Sequence, residues 1–139
     1  MRALGLDIGS KTIGVAVTDE AEIAAHPLDV LGRVGNAGDV SAIQTIVVKL
    51  DITDVVIGMP YELSGKLGHR GKRVAELARA LATALPDVKC HEQDERFTTA
   101  EAERVLLAAD LSHERRKEVI DRQAAALILG AWLATHKSK

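Results

Sequence analysis

Apolar residues change their spacing several times along the chain, and each change marks a structural element. Ala3 to Ile8 is a short apolar run ending in Asp7-Ile8-Gly9-Ser10; Ile13, Val15 and Val17 then alternate with Gly14, Ala16 and Thr18. This pattern predicts two strands joined by a Gly-Ser-Lys turn. A third, weaker strand is expected within Ala24 to Leu31, at a sheet edge because Pro27 cannot donate to a ladder. Gly32 to Gly38 reads as a loop. Val40, Ile43, Ile46, Val47 and Leu50 then repeat at helical spacing, with Asp39 placed to cap the first turn.

Asp54 to Met59 reads as a buried strand, and Tyr61 to Gly71 as an exposed loop. Val74, Leu77, Ala78, Leu81 and Leu85 mark a second helix that ends near Pro86. Val88 to Glu92 is a short strand. Thr98 and Glu101 have the spacing of a capping box for a helix carrying Ala102, Val105, Leu106 and Ala109. A last helix runs from Glu114 to Thr135, with Ile120, Ala124, Leu127, Ile128 and Ala131 on one face. Strands linked through helices pair in parallel by right-handed crossovers, whereas the opening three can form an antiparallel meander. The expected fold is α/β: a mixed five-stranded sheet flanked by helices. No repeat or linker interrupts it, so residues 1–139 are expected to form one domain.

Composition narrows the function classes. Lys and Arg number 18 against 20 Asp and Glu, a net charge of −2, which excludes a nucleic-acid binder held by bulk charge. A local basic patch is not excluded. Tyr61, Phe97 and Trp132 are the only aromatics, too few for a base-stacking platform. The single cysteine, Cys90, allows neither an intramolecular disulfide nor a cysteine-based zinc site. The N-terminus meets an acid and a glycine too early for a signal peptide, and no apolar run approaches the ~18 residues of a membrane span. A soluble chain of the reducing cytoplasm is expected, with no membrane partner.

The candidate chemistry is carried by acids. In the first strand Ala3, Gly5 and Asp7 share one face and Leu4, Leu6 and Ile8 the other. An acid at the end of a central strand lies where α/β proteins bind ligands, although Asp before Gly9 also suits a plain turn. Asp94-Glu95-Arg96 follows the last strand and reads either as a solvated loop or as a second source of carboxylate. Asp121 stands two turns into the last helix, beside Ala124, Ala125 and Ile128. It either reaches solvent and a neighbouring base or, with small alanines beside it, faces the sheet. Three such acids would suit Mg²⁺ or Mn²⁺, and a pair of ions ~3.5–4 Å apart can activate water and stabilise a leaving oxygen.

Lys66, His69, Arg70, Lys72 and Arg73 form a glycine-bearing basic stretch with no acid among them. Cations at a helix start are mildly unfavourable, which favours a phosphate-binding role over a merely solvated one. The five histidines show no paired metal spacing and read as structural or surface residues. Cys90 reads as a small buried hydrophobe.

With these residues in place, the chain resembles the YqgF/RuvX family of Holliday-junction-resolvase-like nucleases with an RNase H-like fold. The matching pieces are Gly5-Leu6-Asp7-Ile8-Gly9-Ser10-Lys11-Thr12-Ile13-Gly14-Val15-Ala16, Val56-Ile57-Gly58-Met59-Pro60, Ser64-Gly65 with Gly68-His69-Arg70, the run Asp94 to Ala102, and the run Ile120 to Leu129. The resemblance implies three antiparallel strands followed by two parallel ones, and a nuclease site holding two Mg²⁺ or Mn²⁺ ions. Position by position, it assigns metal binding and catalysis to Asp7, Asp121 and Glu95, with Asp94 as the alternative to Glu95. It also turns Lys11, Arg70, Arg96 and Thr98 toward the phosphate backbone. Thr12, where arginine is frequent, and Tyr61-Glu62-Leu63-Ser64, in place of Leu-Asn-Met-Asp, depart from the family pattern and bear on the substrate loop. The function implied is maturation of the 5′ end of precursor 16S ribosomal RNA, by a monomer or homodimer. Cleavage of branched DNA, or a non-catalytic RNA- or ribosome-binding role, are the alternatives.

Overall fold

A computed structural model describes residues 2–19, 24–62, 64–94 and 113–136; for 113–122 and 136 it describes the backbone alone. The elements in chain order are β1 (Ala3–Ile8), β2 (Thr12–Thr18), β3 (Ala25–Gly32), α1 (Asn36–Lys49), β4 (Asp54–Met59), α2 (His69–Ala84), β5 (Lys89–Asp94) and α3 (His113–His136). The strands form one sheet in the order β3-β2-β1-β4-β5. β1 pairs antiparallel with β2, and β2 with β3, while β4 runs parallel to both β1 and β5. The mixed five-stranded sheet expected from the sequence is therefore present, with β1 at its centre. Pro27 lies on edge strand β3, and a register shift at Val15/Ala16 opposes it.

Alternation along β1 splits the interior in two. Leu4, Leu6 and Ile8 join Ile13, Val15, Val55, Ile57 and Met59 against Ile43 and Val47 of α1 and Val74, Leu77 and Leu81 of α2. On the opposite face Ala3, Ala16 and Val56 pack against Ala125, Ile128, Leu129, Trp132 and Leu133 of α3. The first face offers branched side chains and the second small ones, so α3 can lie close to the sheet.

Several boundaries differ from those read from the sequence. α1 starts at Asn36 behind Gly35, whose φ is 102°, so Asp39 lies inside the first turn and does not cap it. Its carboxylate turns back to accept the Val34 N–H at 3.0 Å. The glycine-rich segment is thus divided between the end of β3 and the start of α1. α2 starts at His69, inside the segment read as a loop. β5 continues to Asp94, two residues beyond Glu92. The helix expected after Thr98 lies outside the described residues.

Candidate functional site

Asp7 is the next-to-last residue of β1, and 21% of its side chain is exposed between the buried Leu6 and Ile8. Two residues earlier, Gly5 lies against α3. A Cβ at Gly5 would sit 2.7 Å from the Leu129 Cβ and 2.9 Å from the Ala125 carbonyl oxygen. No side chain fits there without moving helix backbone. Asp7 shares this face of β1, so it emerges at the strand end on the α3 side.

The turn after Asp7 is fixed from a distance by Arg33. Its Nε donates to Asp39 Oδ2 at 2.6 Å, Nη1 to the Gly9 carbonyl at 2.8 Å and Nη2 to Asn36 Oδ1 at 3.1 Å. The Arg33 backbone N–H also donates to the Lys11 carbonyl at 2.9 Å. One guanidinium therefore joins the β1–β2 turn to the start of α1, and Asp39, 2% exposed, is its buried counter-ion. The sequence offered no signal for this role, because Arg33 stands in a segment of glycines whose path was open.

The basic stretch opens α2. Arg70 reaches from its first turn to place Nη2 3.5 Å from Asp7 Oδ1. Arg73 follows one turn later and is exposed. Glu62 lies against Gly68, where a Cβ would meet its carboxylate, so an acid already stands near the start of α2. Between the turn, the start of α1 and the start of α2 lies an open cleft of about 790 Å³, lined by Ser10, Arg33, Asn36, His69, Arg70 and Arg73 among others.

The other site candidates are distributed as follows. Lys11 is exposed on the β1–β2 turn. Asp94 ends β5 in register with Met59, whose side chain belongs to the α1/α2 core. Strand alternation therefore sets Asp94 on the sheet face opposite Asp7. Asp121 lies within α3, one turn before Ala125; its side chain, like the whole of Glu95, Arg96 and Thr98, lies outside the described residues. Among the described residues no group of three His, Cys, Asp or Glu gathers as a metal set. Asp7 contributes a hard oxygen donor, the type that Mg²⁺ and Mn²⁺ prefer.

At the far end of the sheet His91 Nε2 lies 2.8 Å from Asp54 Oδ2, and Thr53 Oγ1 donates to Asp54 Oδ1 at 2.7 Å. The His91 ring also tilts against Trp132 at a centroid distance of 4.9 Å. This histidine is structural, as read from the sequence. Cys90 is half-buried on β5, and burial pushes its thiol pKa up, away from nucleophile chemistry.

A five-stranded sheet in this order, with an acid at the end of its central strand and a helix packed beside it, is the RNase H-like architecture. Thermus thermophilus RuvC, solved with a Holliday junction substrate, matches all of this chain and 97% of its own at a TM-score of 0.63 and 13% identity. The fowlpox virus resolvase, solved with Holliday junction DNA, matches at a TM-score of 0.53 and 9% identity, over 99% of this chain and 96% of its own. These likenesses show the fold. The family model RuvX, described as Holliday junction resolvase, matches residues 1–135, and the chain belongs to that family.

Relatives named "Putative pre-16S rRNA nuclease" agree over the full length. The protein of Desulforudis audaxviator is 44% identical over 99% of this chain and 97% of its own. That of Myxococcus xanthus is 41% identical over 99% and 90%. The chain is accordingly a nuclease by family, a hydrolase of phosphodiester bonds, as the sequence resemblance implied. Among the described residues no helix is long and apolar enough to cross a membrane.

Proposed function

We propose that this chain is a metal-dependent endonuclease of the cytoplasm that matures the 5′ end of precursor 16S ribosomal RNA. The observation that carries the site is the contact of Gly5 with Ala125 and Leu129, which brings α3 onto the strand bearing Asp7. Asp121 is four residues from Ala125, a rise of about 6 Å, and Asp7 two residues from Gly5, about 7 Å. Both acids thus stand one short step from a common contact. The placement of Asp94 on the opposite face favours Glu95 as the middle carboxylate.

In this reading Asp7, Glu95 and Asp121 hold two Mg²⁺ or Mn²⁺ ions, whose chemistry when bound is to generate hydroxide from water and stabilise the leaving oxygen. Arg70, beside Asp7, meets the negative charge of the phosphate and orients it, while Arg33 keeps the turn bearing Lys11 in place. Arg96 and Thr98 complete the backbone contacts. RNA is favoured because the 40–44% identical relatives carry the ribosomal RNA name. Branched DNA is the second reading, supported by the family description.

The test is cleavage of a structured 16S precursor RNA and a four-way DNA junction, side by side with Mn²⁺, Mg²⁺ or EDTA. Wild type should cut the RNA only with metal, and Asp7→Asn should keep its fold by circular dichroism yet lose cleavage at least 100-fold. Cutting of the junction alone would move the assignment to DNA. Full activity of Asp7→Asn would remove Asp7 from the site, and metal-independent binding without any cutting would leave a non-catalytic binding protein.

A further inference from the structure

We infer that the cleft between the starts of α1 and α2 is a second phosphate-backbone groove, which takes the single strand continuing from the bond held at Asp7. The inference rests on the nuclease reading and extends it to residues that reading does not use: Arg73, His69 and Ser10. The cleft begins at Gly9 and Ser10, immediately after β1, and Arg70 stands at its rim with one nitrogen 3.5 Å from Asp7. The turn residues Gly9 and Ser10 thus join the end of the Asp7 strand directly to the cleft. Its volume of about 790 Å³ is within the range of built ligand sites.

The lining selects an anion. Among the described residues Arg33, Arg70 and Arg73 face the cleft together with His69, against the single carboxylate of Glu76. Arg33 is committed to Asp39, Gly9 and Asn36, and so acts as a wall. Arg73 has no hydrogen-bond or ion-pair partner among the described residues. An exposed guanidinium one turn beyond Arg70, with only one acid in the same cleft, suits successive phosphates of one strand. Glu62 already lies at the start of α2, so the arginines carry this groove and the helix dipole does not. None of the described residues that line the cleft is a Phe, Tyr or Trp, so its lining suits backbone more than stacked bases.

The experiment measures binding apart from cleavage. Full-length wild type and Arg73→Ala are titrated, in EDTA, against a fluorescent hairpin with a ten-nucleotide single-stranded extension and against the same hairpin made blunt. Each is prepared as RNA and as DNA, between 50 and 200 mM KCl. Wild type should bind the extended hairpin at least fivefold more tightly than the blunt one. Arg73→Ala should erase that difference and reduce the slope of log K against log salt by about one. Glu76→Gln should enlarge the difference. Loss confined to the RNA or the DNA arm supports the groove and identifies its strand.

Equal binding of both hairpins by wild type, or an equal loss on both in Arg73→Ala, overturns the groove. A separate Mn²⁺ cleavage assay on the same samples keeps the two readings apart. Cleavage by wild type with no extension preference removes the groove and leaves the nuclease. An Arg73-dependent extension preference without cleavage does the reverse.

Discussion

Arg33 shows how one side chain can govern a site it does not enter. Its guanidinium satisfies a buried carboxylate, a turn carbonyl and a helix-start amide at once, and the turn it holds follows Asp7 directly. Arg33→Ala leaves Asp39 buried without its counter-ion, a change expected to cost about 3 kcal/mol in urea unfolding. Arg33→Lys keeps the charge but cannot span all three acceptors, since an ammonium lacks the planar fork. It should recover more than half of that stability while leaving cleavage several-fold below wild type, the loss appearing in kcat more than in KM. Equal kcat for Arg33→Lys and wild type would confine Arg33 to a structural role.

At the scale of elements, the decisive contact is between β1 and α3. Gly5 has no room for a methyl, because the Leu129 Cβ and the Ala125 carbonyl occupy that space. Gly5→Ala should destabilise the protein by about 1–3 kcal/mol through overpacking. It should also lower cleavage at temperatures where the variant is folded, because the helix carrying Asp121 must lift from the strand carrying Asp7. Stability loss with undiminished cleavage would detach that helix contact from the site. Sequence periodicity revealed both elements, since β1 alternates and α3 repeats apolar residues at helical spacing, although the buried face centres on Ala125, Ile128, Leu129 and Trp132. It could not reveal that Gly5 is where they touch, because a missing side chain leaves no periodic mark. The starts of α1 and α2 were hidden for a related reason: the cap positions are glycines, Gly35 and Gly68, in place of a Ser, Thr or Asp. Asp39 supplied a cap signal in the wrong place, because its carboxylate serves Arg33 and Val34.

Across the whole molecule, the proposed binding chemistry and a second set of polar contacts, separate from that of Arg33, occupy opposite ends of one sheet. Asp7, Arg70 and the cleft lie at the C-terminal end of β1, the central strand. Asp54, at the N-terminal end of β4, pairs with His91 of β5, and His91 packs against Trp132 of α3. Because these groups do not touch the cleft, the two ends should respond independently to substitution. His91→Ala withdraws a partner from the buried Asp54 carboxylate and should cost about 1–3 kcal/mol. Its cleavage rate and substrate affinity, measured well below its melting temperature, should match wild type within twofold. Arg73→Ala should show the converse, an unchanged melting temperature with weakened binding. The net charge of −2 sharpens the contrast: affinity is expected from local basic residues around Asp7 and the cleft, so it should fall with salt while the Asp54–His91 contribution to stability hardly moves. A matched loss of affinity in His91→Ala would mean that the two ends are coupled through α3, which among the described elements alone packs against all five strands.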